Sequence, residues 1–230
     1  MATVYFYEML TAHTKAECDQ EHLDIVISSR ASTPDRTEFI LGKTEKNPLP
    51  VMQQEAEKLV RYGAELISIP CNTAHYFYDA LASSVSVPIV NIIYETAAFI
   101  ARSGVKKIGV LATEGTISSG SYEHMCRQMG LRYEVPDDVH QKMLSDIIYG
   151  SIKKGQRVDM EKFGEICEAL RKKGCENLVL GCTELSLIKR DFALGDEYVD
   201  SLEVLAMRTI RLCGKTPVGF GVSLMNDTEE

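Results

Sequence analysis

A chain of 230 residues, 45% of them apolar, is long enough to bury a sizeable core as one large domain or two small ones. Acidic side chains outnumber basic ones by 33 to 25, for a net charge of -8. This excludes the broad basic face that a nucleic-acid partner needs and leaves room for a small acidic ligand held by a few local cations. No apolar run approaches the ~20 residues of a membrane span, "MATVYFYEML" lacks the basic flank of a secretory signal, and seven scattered cysteines do not make a disulfide framework. The expectation is a cytoplasmic protein whose cysteines stay reduced.

In chain order, short β-branched runs alternate with longer amphipathic stretches, the pattern of βα units around parallel sheets. The first strand candidate is "DIVISS", Asp24 to Ser29. A helix follows in "VMQQEAEKLVRYG", where Met52, Ala56, Leu59 and Val60 share a face and Gly63 sits at the stop position. Next come "LISIP" (Leu66 to Pro70), "PIVNI" (Pro88 to Ile92) and "KIGVLA" (Lys107 to Ala112) as strands. The helix "MEKFGEICEALRKKG" places Phe163, Ile166, Cys167 and Leu170 on one face, so Cys167 reads as core, and Gly174 closes it. The last strand candidate is "NLVLG", Asn177 to Gly181, and "VDSLEVLAMRTIRL" reads as a closing helix.

Two of these units resemble each other. "AELISIPCNTA" and "CENLVLGCTEL" share a strand followed by a cysteine and then a threonine, which suggests two related α/β halves. Both Cys71 and Cys182 fall just beyond a strand's carboxyl end, where ligands of open parallel sheets gather and where helix N-termini favour a thiolate. A single cysteine there is equally well explained as a small packed residue; the duplication is not explained by packing. Zinc is disfavoured, because no Cys-x-x-Cys pair is present and His75 is the nearest imidazole. Two acids of similar strength on opposite sides of one carbon suit a symmetric reaction, in which one removes a proton and the other delivers one to the opposite face.

"IPCNTAHYFYD", "LGCTE", "PDRTEFILG" and "LATEGTISSGSY" together resemble the cofactor-independent aspartate/glutamate racemases, in particular the aspartate racemase branch. The resemblance implies two pseudo-symmetric α/β domains, each a mainly parallel sheet flanked by helices, with the active site in the cleft between them. It implies Cys71 and Cys182 as the acid/base pair, with Cys71 serving the D-isomer and Cys182 the L-isomer. It also implies Arg36 as partner of a substrate carboxylate, and Lys153, with Lys154 beside it, as the cation for the second one. Asn72, Thr73, Thr113, Thr116 and Thr183 are expected to donate to the α-carboxylate and amino group, with His75 and Glu184 in support. Glutamate racemases carry a histidine where this chain has Glu184, which favours the aspartate branch. No pyridoxal phosphate and no metal are expected, and the substrate is aspartate, glutamate or both.

The same resemblance places the first domain at residues 1–97, the second at 98–197 and a return to the first at 198–230, in a homodimer. Relatives carry a strand and a Gly-Gly-x-Gly-Pro loop ahead of the segment matching "ATVYFYEMLT", so the first βα unit is expected to be missing here, leaving sheet edges uncovered. Cys18, Cys126, Cys175 and Cys213 are read as structural. Two other functions stay open: a non-catalytic dicarboxylate or amino-acid binder, and a related reaction such as maleate isomerisation.

Overall fold

A computed structural model describes residues 2–227. The chain opens with α1 (Ala2–Ala12), α2 (Arg36–Ile40) and α3 (Leu49–Arg61). Next come β1 (Ile67–Ser68), a 3-10 turn (Asn72–Phe77), α4 (Tyr78–Ala82), β2 (Ile89–Val90) and α5 (Ile92–Arg102). The middle holds β3 (Lys107–Leu111), α6 (Glu114–Ser118), α7 (Ser121–Gln128), β4 (Arg132–Glu134) and α8 (Asp138–Ser145). A π turn (Asp146–Ser151) and a 3-10 turn (Ile152–Lys154) lead into α9 (Met160–Lys172), β5 (Asn177–Leu180), α10 (Ser186–Phe192) and β6 (Tyr198–Asp200). The chain ends in α11 (Ser201–Leu212) and α12 (Val222–Met225).

Both sheets are parallel. β1 pairs with β2, and a four-stranded sheet runs β4-β3-β5-β6. The central strands β3 and β5 are apolar almost throughout, as strands covered by helices on both faces must be. The largest core cluster joins Phe6, Met9 and Leu10 of α1, Ile93 and Ile100 of α5, Val110, Val179 and the inner face of α11. A second cluster packs α9 against the other face of the four-stranded sheet through Phe163, Ile166, Cys167 and Leu170, the four residues expected on that face. A third lies under β1 and β2, around Ala56, Ile67, Phe77 and Leu81. Gly63 and Gly174 close their helices at φ 99° and 83°, a region that costs a residue with a Cβ. α5 runs unbroken across positions 97 and 98.

Asp24 to Ser29 is not a strand. The segment lies outside every ladder, with Val26 and Ile27 about half exposed at 49% and 47%. β-branched alternation makes a strand only where a neighbouring edge completes the hydrogen bonds. β1 has β2 on one side only, and its other edge borders a groove whose far wall is Ser28 to Ala31. β4 and β6 were not expected; each has three residues, and the closing helix starts at Ser201, because Val199 and Asp200 belong to β6. Of the cysteines read as structural, Cys126 and Cys175 are buried, whereas Cys18 and Cys213 are exposed and pack no core.

Candidate active site

Cys71 and Cys182 stand just past the ends of β1 and β5 and line one cavity of about 380 Å³. The two loops are tied together directly: the Thr183 hydroxyl donates to the carbonyl of Pro70, the residue before Cys71, at 3.1 Å. A single hydrogen bond thus fixes one cysteine loop against the other.

The Cys71 loop is braced by the two residues nearest in the motif. His75 is buried, its Nδ1 lies 2.9 Å from the Cys71 carbonyl, and its Nε2 lies within reach of the Ile92 amide at 3.3 Å. With the proton on Nδ1 the ring donates to Cys71 and accepts from the Ile92 amide; with the proton on Nε2 it donates instead to the Val90 carbonyl, 3.2 Å away. Burial lowers the His75 pKa, so the ring is neutral and acts as a strut between the loop and the start of α5. Asn72 turns inward as well: its amide donates to Ser201 Oγ at 2.9 Å and its carbonyl accepts from the Tyr122 hydroxyl at 2.8 Å. Ser201 in turn donates to the Leu180 carbonyl at the end of β5, so Asn72 joins the two strand ends.

Thr73, Thr113 and Thr116 form a buried triangle of hydroxyls with edges of 2.8 to 3.0 Å. Thr113 also caps α6, and Thr37 lies 3.3 Å from it while accepting from the Tyr149 hydroxyl at 3.0 Å. Thr73 and Thr113 reach the cavity wall; Thr116 does not and serves as the third corner of the triangle. Gly115 is what permits this approach, since a Cβ there would stand 2.7 Å from the Thr37 Cα.

The charges are arranged asymmetrically. Arg36 opens α2, whose N-cap is Asp35, and its Nη2 lies 3.9 Å from Cys71 Sγ. The sulfur beside it raises the Arg36 pKa further above its already high ordinary value. Cys182 has an anion instead: its Sγ donates to Glu184 Oε2 at 3.1 Å. Burial, and after it the Glu184 charge, push the Cys182 thiol well above the ordinary cysteine range, while Lys153 and the Glu184 backbone N-H act in the opposite direction. Cys182 is therefore a neutral thiol at physiological pH. Lys153 lines the cavity with its Nζ 4.2 Å from the centroid of the Tyr149 ring, whereas Lys154 is not among the lining residues. The π turn carries Tyr149, and the 3-10 turn after it carries Lys153, irregular backbone of the kind often found at sites. Tyr149 and Thr37 are cavity residues that the sequence reading missed; their only signal was proximity to Arg36 and Lys153 in the chain.

All the expected site residues thus gather at one end of the two sheets, but in two tiers. Arg36, Cys71, Lys153, Cys182 and Glu184 face the cavity with charged or ionisable groups, whereas Asn72, His75 and Thr116 commit their side chains to holding the loops. Among the described residues no group of three or more His, Cys, Asp or Glu is placed to hold a metal ion.

Comparison with known structures defines the class first. The architecture is that of the amino-acid racemases: it matches the aspartate racemase of Picrophilus torridus with a TM-score of 0.81 at 29% identity, over 94% of this chain and 91% of that one. An aspartate racemase homologue from Pyrococcus horikoshii OT3 matches with a TM-score of 0.74 at 27% identity, over 93% and 94% of the two chains. Residues 1–209 match the Asp/Glu/Hydantoin racemase family, and the chain belongs to that family. Among relatives in sequence, a glutamate racemase of Corynebacterium glutamicum is 30% identical over 78% of this chain and 70% of its own length. A broad-specificity amino-acid racemase of Bacillus subtilis is 29% identical over 67% of each.

Proposed function

We propose that this racemase interconverts L- and D-aspartate by moving the α-proton between the substrate and two cysteines, Cys71 and Cys182. In each direction one sulfur acts as a thiolate: the Cα–H bond breaks, an S–H bond forms, and the electron pair moves into the carboxylate. The opposite thiol then gives its proton to the other face of the carbon. Cys71 serves the D-isomer and Cys182 the L-isomer. The observation that carries this reading is that both sulfurs line one cavity, presented by two loops that the Thr183–Pro70 bond holds together.

The substrate class follows from the cations. Arg36 presents a planar fork suited to a carboxylate, and Lys153 supplies a second positive charge on the same cavity, so a molecule with two carboxylates has a partner for each. Thr73, Thr113 and Thr183, with the backbone N-H groups beside them, are assigned to the α-carboxylate and amino group. Aspartate is preferred to glutamate on the likeness to the aspartate racemases and on Glu184. The reaction uses no pyridoxal phosphate and no metal. The lobes are assigned to residues 1–97 with 198–230 and to residues 98–197, with the site between them, in a cytoplasmic homodimer.

A broader reading draws on the B. subtilis relative, whose name records activity on many amino acids. Chirality assays separate the two. With reductant and no added cofactor, optical rotation of L-aspartate should decay to zero, with L-glutamate slower and L-lysine and L-alanine inert. Racemisation of the neutral and basic amino acids at comparable rates would favour the broader reading, and a constant rotation for every one would refute both.

A further inference from the structure

Arg36 and Lys153 sit on different elements of the cavity wall, and one side chain, Tyr149, is in contact with both arms. Arg36 opens α2, and the next residue, Thr37, is buried and accepts from the Tyr149 hydroxyl at 3.0 Å. Thr37 is held from behind as well, since its own hydroxyl donates to Thr113 at 3.3 Å. Lys153 lays its Nζ over the other part of the same side chain, 4.2 Å from the centroid of the Tyr149 ring, and makes no ion pair among the described residues. Tyr149 itself is anchored by its neighbours on the π turn, Ile147 and Ile148, which are buried in the core around α9. Burial pushes the Tyr149 hydroxyl above its ordinary pKa, so it stays protonated and remains a donor to Thr37.

We propose that Tyr149 sets the length of the substrate: its hydroxyl braces the helix that carries Arg36, its ring seats Lys153, and together these fix the spacing of the two cations. This rests on the reading of Arg36 and Lys153 as partners of two carboxylates, and the aspartate assignment makes the spacing that of a four-carbon dicarboxylate. Lys153 alone cannot measure a methylene. It is an exposed residue whose ammonium rides on a flexible four-carbon stem, which follows a longer or a shorter ligand with equal ease. Attraction of the ammonium to the face of the ring removes that freedom. Tyrosine is suited to the task because its rigid ring turns on only two side-chain torsions, and here the hydroxyl end is tied down as well. One methylene in a fitted pocket changes binding by about tenfold to two-hundredfold, so a spacer of modest stiffness is enough to separate the two substrates. Tyr149 is thus a positioning residue, acting through Thr37 on one arm and Lys153 on the other.

Succinate and glutarate probe the spacing by itself, because each carries two carboxylates and no reacting centre. By calorimetry the wild type should bind succinate at least about tenfold more tightly than glutarate. Tyr149→Leu removes both the seat and the brace, and the ratio should fall to within about twofold, chiefly through lost affinity for succinate. Tyr149→Phe keeps the ring and loses only the bond to Thr37, so its ratio should lie between; it also carries the comparison if Tyr149→Leu does not fold. Lys153→Met should weaken both ligands, and adding Tyr149→Leu to it should not change the ratio further, since one remaining cation defines no spacing. The ratio of kcat/KM for L-aspartate and L-glutamate should shift in step with the binding ratio. A purely structural role would weaken both ligands by one factor. An unchanged ratio in the Tyr149 variants, or a wild type that binds the two ligands equally, overturns the proposal. Unchanged affinities in Lys153→Met would overturn it too, by removing Lys153 from the carboxylate. The racemase mechanism fails separately: constant optical rotation of L-aspartate with a wild type that still prefers succinate would refute the proton transfers and leave the role of Tyr149 standing.

Discussion

Cys71 and Cys182 occupy matching places at two strand ends, yet their chemistry differs because each sulfur touches a charge of opposite sign. Reagents should distinguish them. Cys182 is a buried neutral thiol, whereas Cys71 is part-exposed beside a guanidinium, so iodoacetamide at pH 7 should modify Cys71 first. Peptide mapping that follows loss of activity tests this, with exposed Cys18 and Cys213 as controls whose modification leaves activity intact. Preferential labelling of Cys182 would contradict the assigned asymmetry. Arg36 carries a second expectation. Arg36→Lys keeps the charge but loses the fork, and KM for aspartate should rise by about tenfold to a hundredfold, the range of one charge-assisted hydrogen bond. A change below twofold would remove Arg36 from the substrate carboxylate.

Elements matter through the contacts that aim these side chains. Gly115→Ala in α6 would put a methyl group 2.7 Å from the Thr37 Cα, and backbone cannot yield as a flexible side chain does. α2 should be pushed away and Arg36 with it, so the variant should fold but lose most of its kcat/KM; wild-type kinetics would show that α2 does not need this contact. His75 gives an acid-side expectation. Its folded pKa is depressed below the ordinary value of 6.5, so its contribution to stability is present above that pH and is lost as pH falls. Melting temperature should therefore drop more steeply below pH 6.5 in the wild type than in His75→Gln, and parallel curves would contradict the buried neutral ring. The legibility of the chain follows the same division. Strands that end in cysteines and helices with one apolar face could be read, because their patterns are local and their partners are the core. Asp24 to Ser29 misled, because β-branched residues record a tendency and not the presence of a neighbouring edge. The start of α11 was readable but passed over: Asp200 followed by Glu203 is a capping pattern, and it would have placed Val199 outside the helix. Cys71 and Cys182 were legible from their placement, whereas the inward turn of Asn72 depends on Tyr122 and Ser201, far away in sequence.

Across the whole molecule, the two sheets share one large core through α1, α5 and α11, and the Thr183–Pro70 and Asn72–Ser201 hydrogen bonds link the loops at their strand ends. Asp200, the residue before Ser201, is a buried acid. It caps α11, accepts from Ser186 at 2.7 Å and is almost fully buried, with Oδ2 unpartnered; burial, with Glu203 nearby, pushes its pKa up to about 7. A raised folded pKa means that stability is greatest below the unfolded value and is lost as pH rises towards 7. Asp200→Asn keeps the cap acceptor and should flatten that decline between pH 5 and 8 in thermal melts, on the order of the linked proton; an unchanged slope would contradict it. The central claim is that two sulfurs flank one α-carbon. Its most direct test is α-proton exchange in heavy water, followed by NMR, for Cys71→Ala and Cys182→Ala with L- and D-aspartate offered separately. Neither variant should racemise, and each should wash deuterium into one enantiomer only, Cys71→Ala into the L-isomer and Cys182→Ala into the D-isomer. Racemisation by either variant at a rate near that of the wild type would contradict the account.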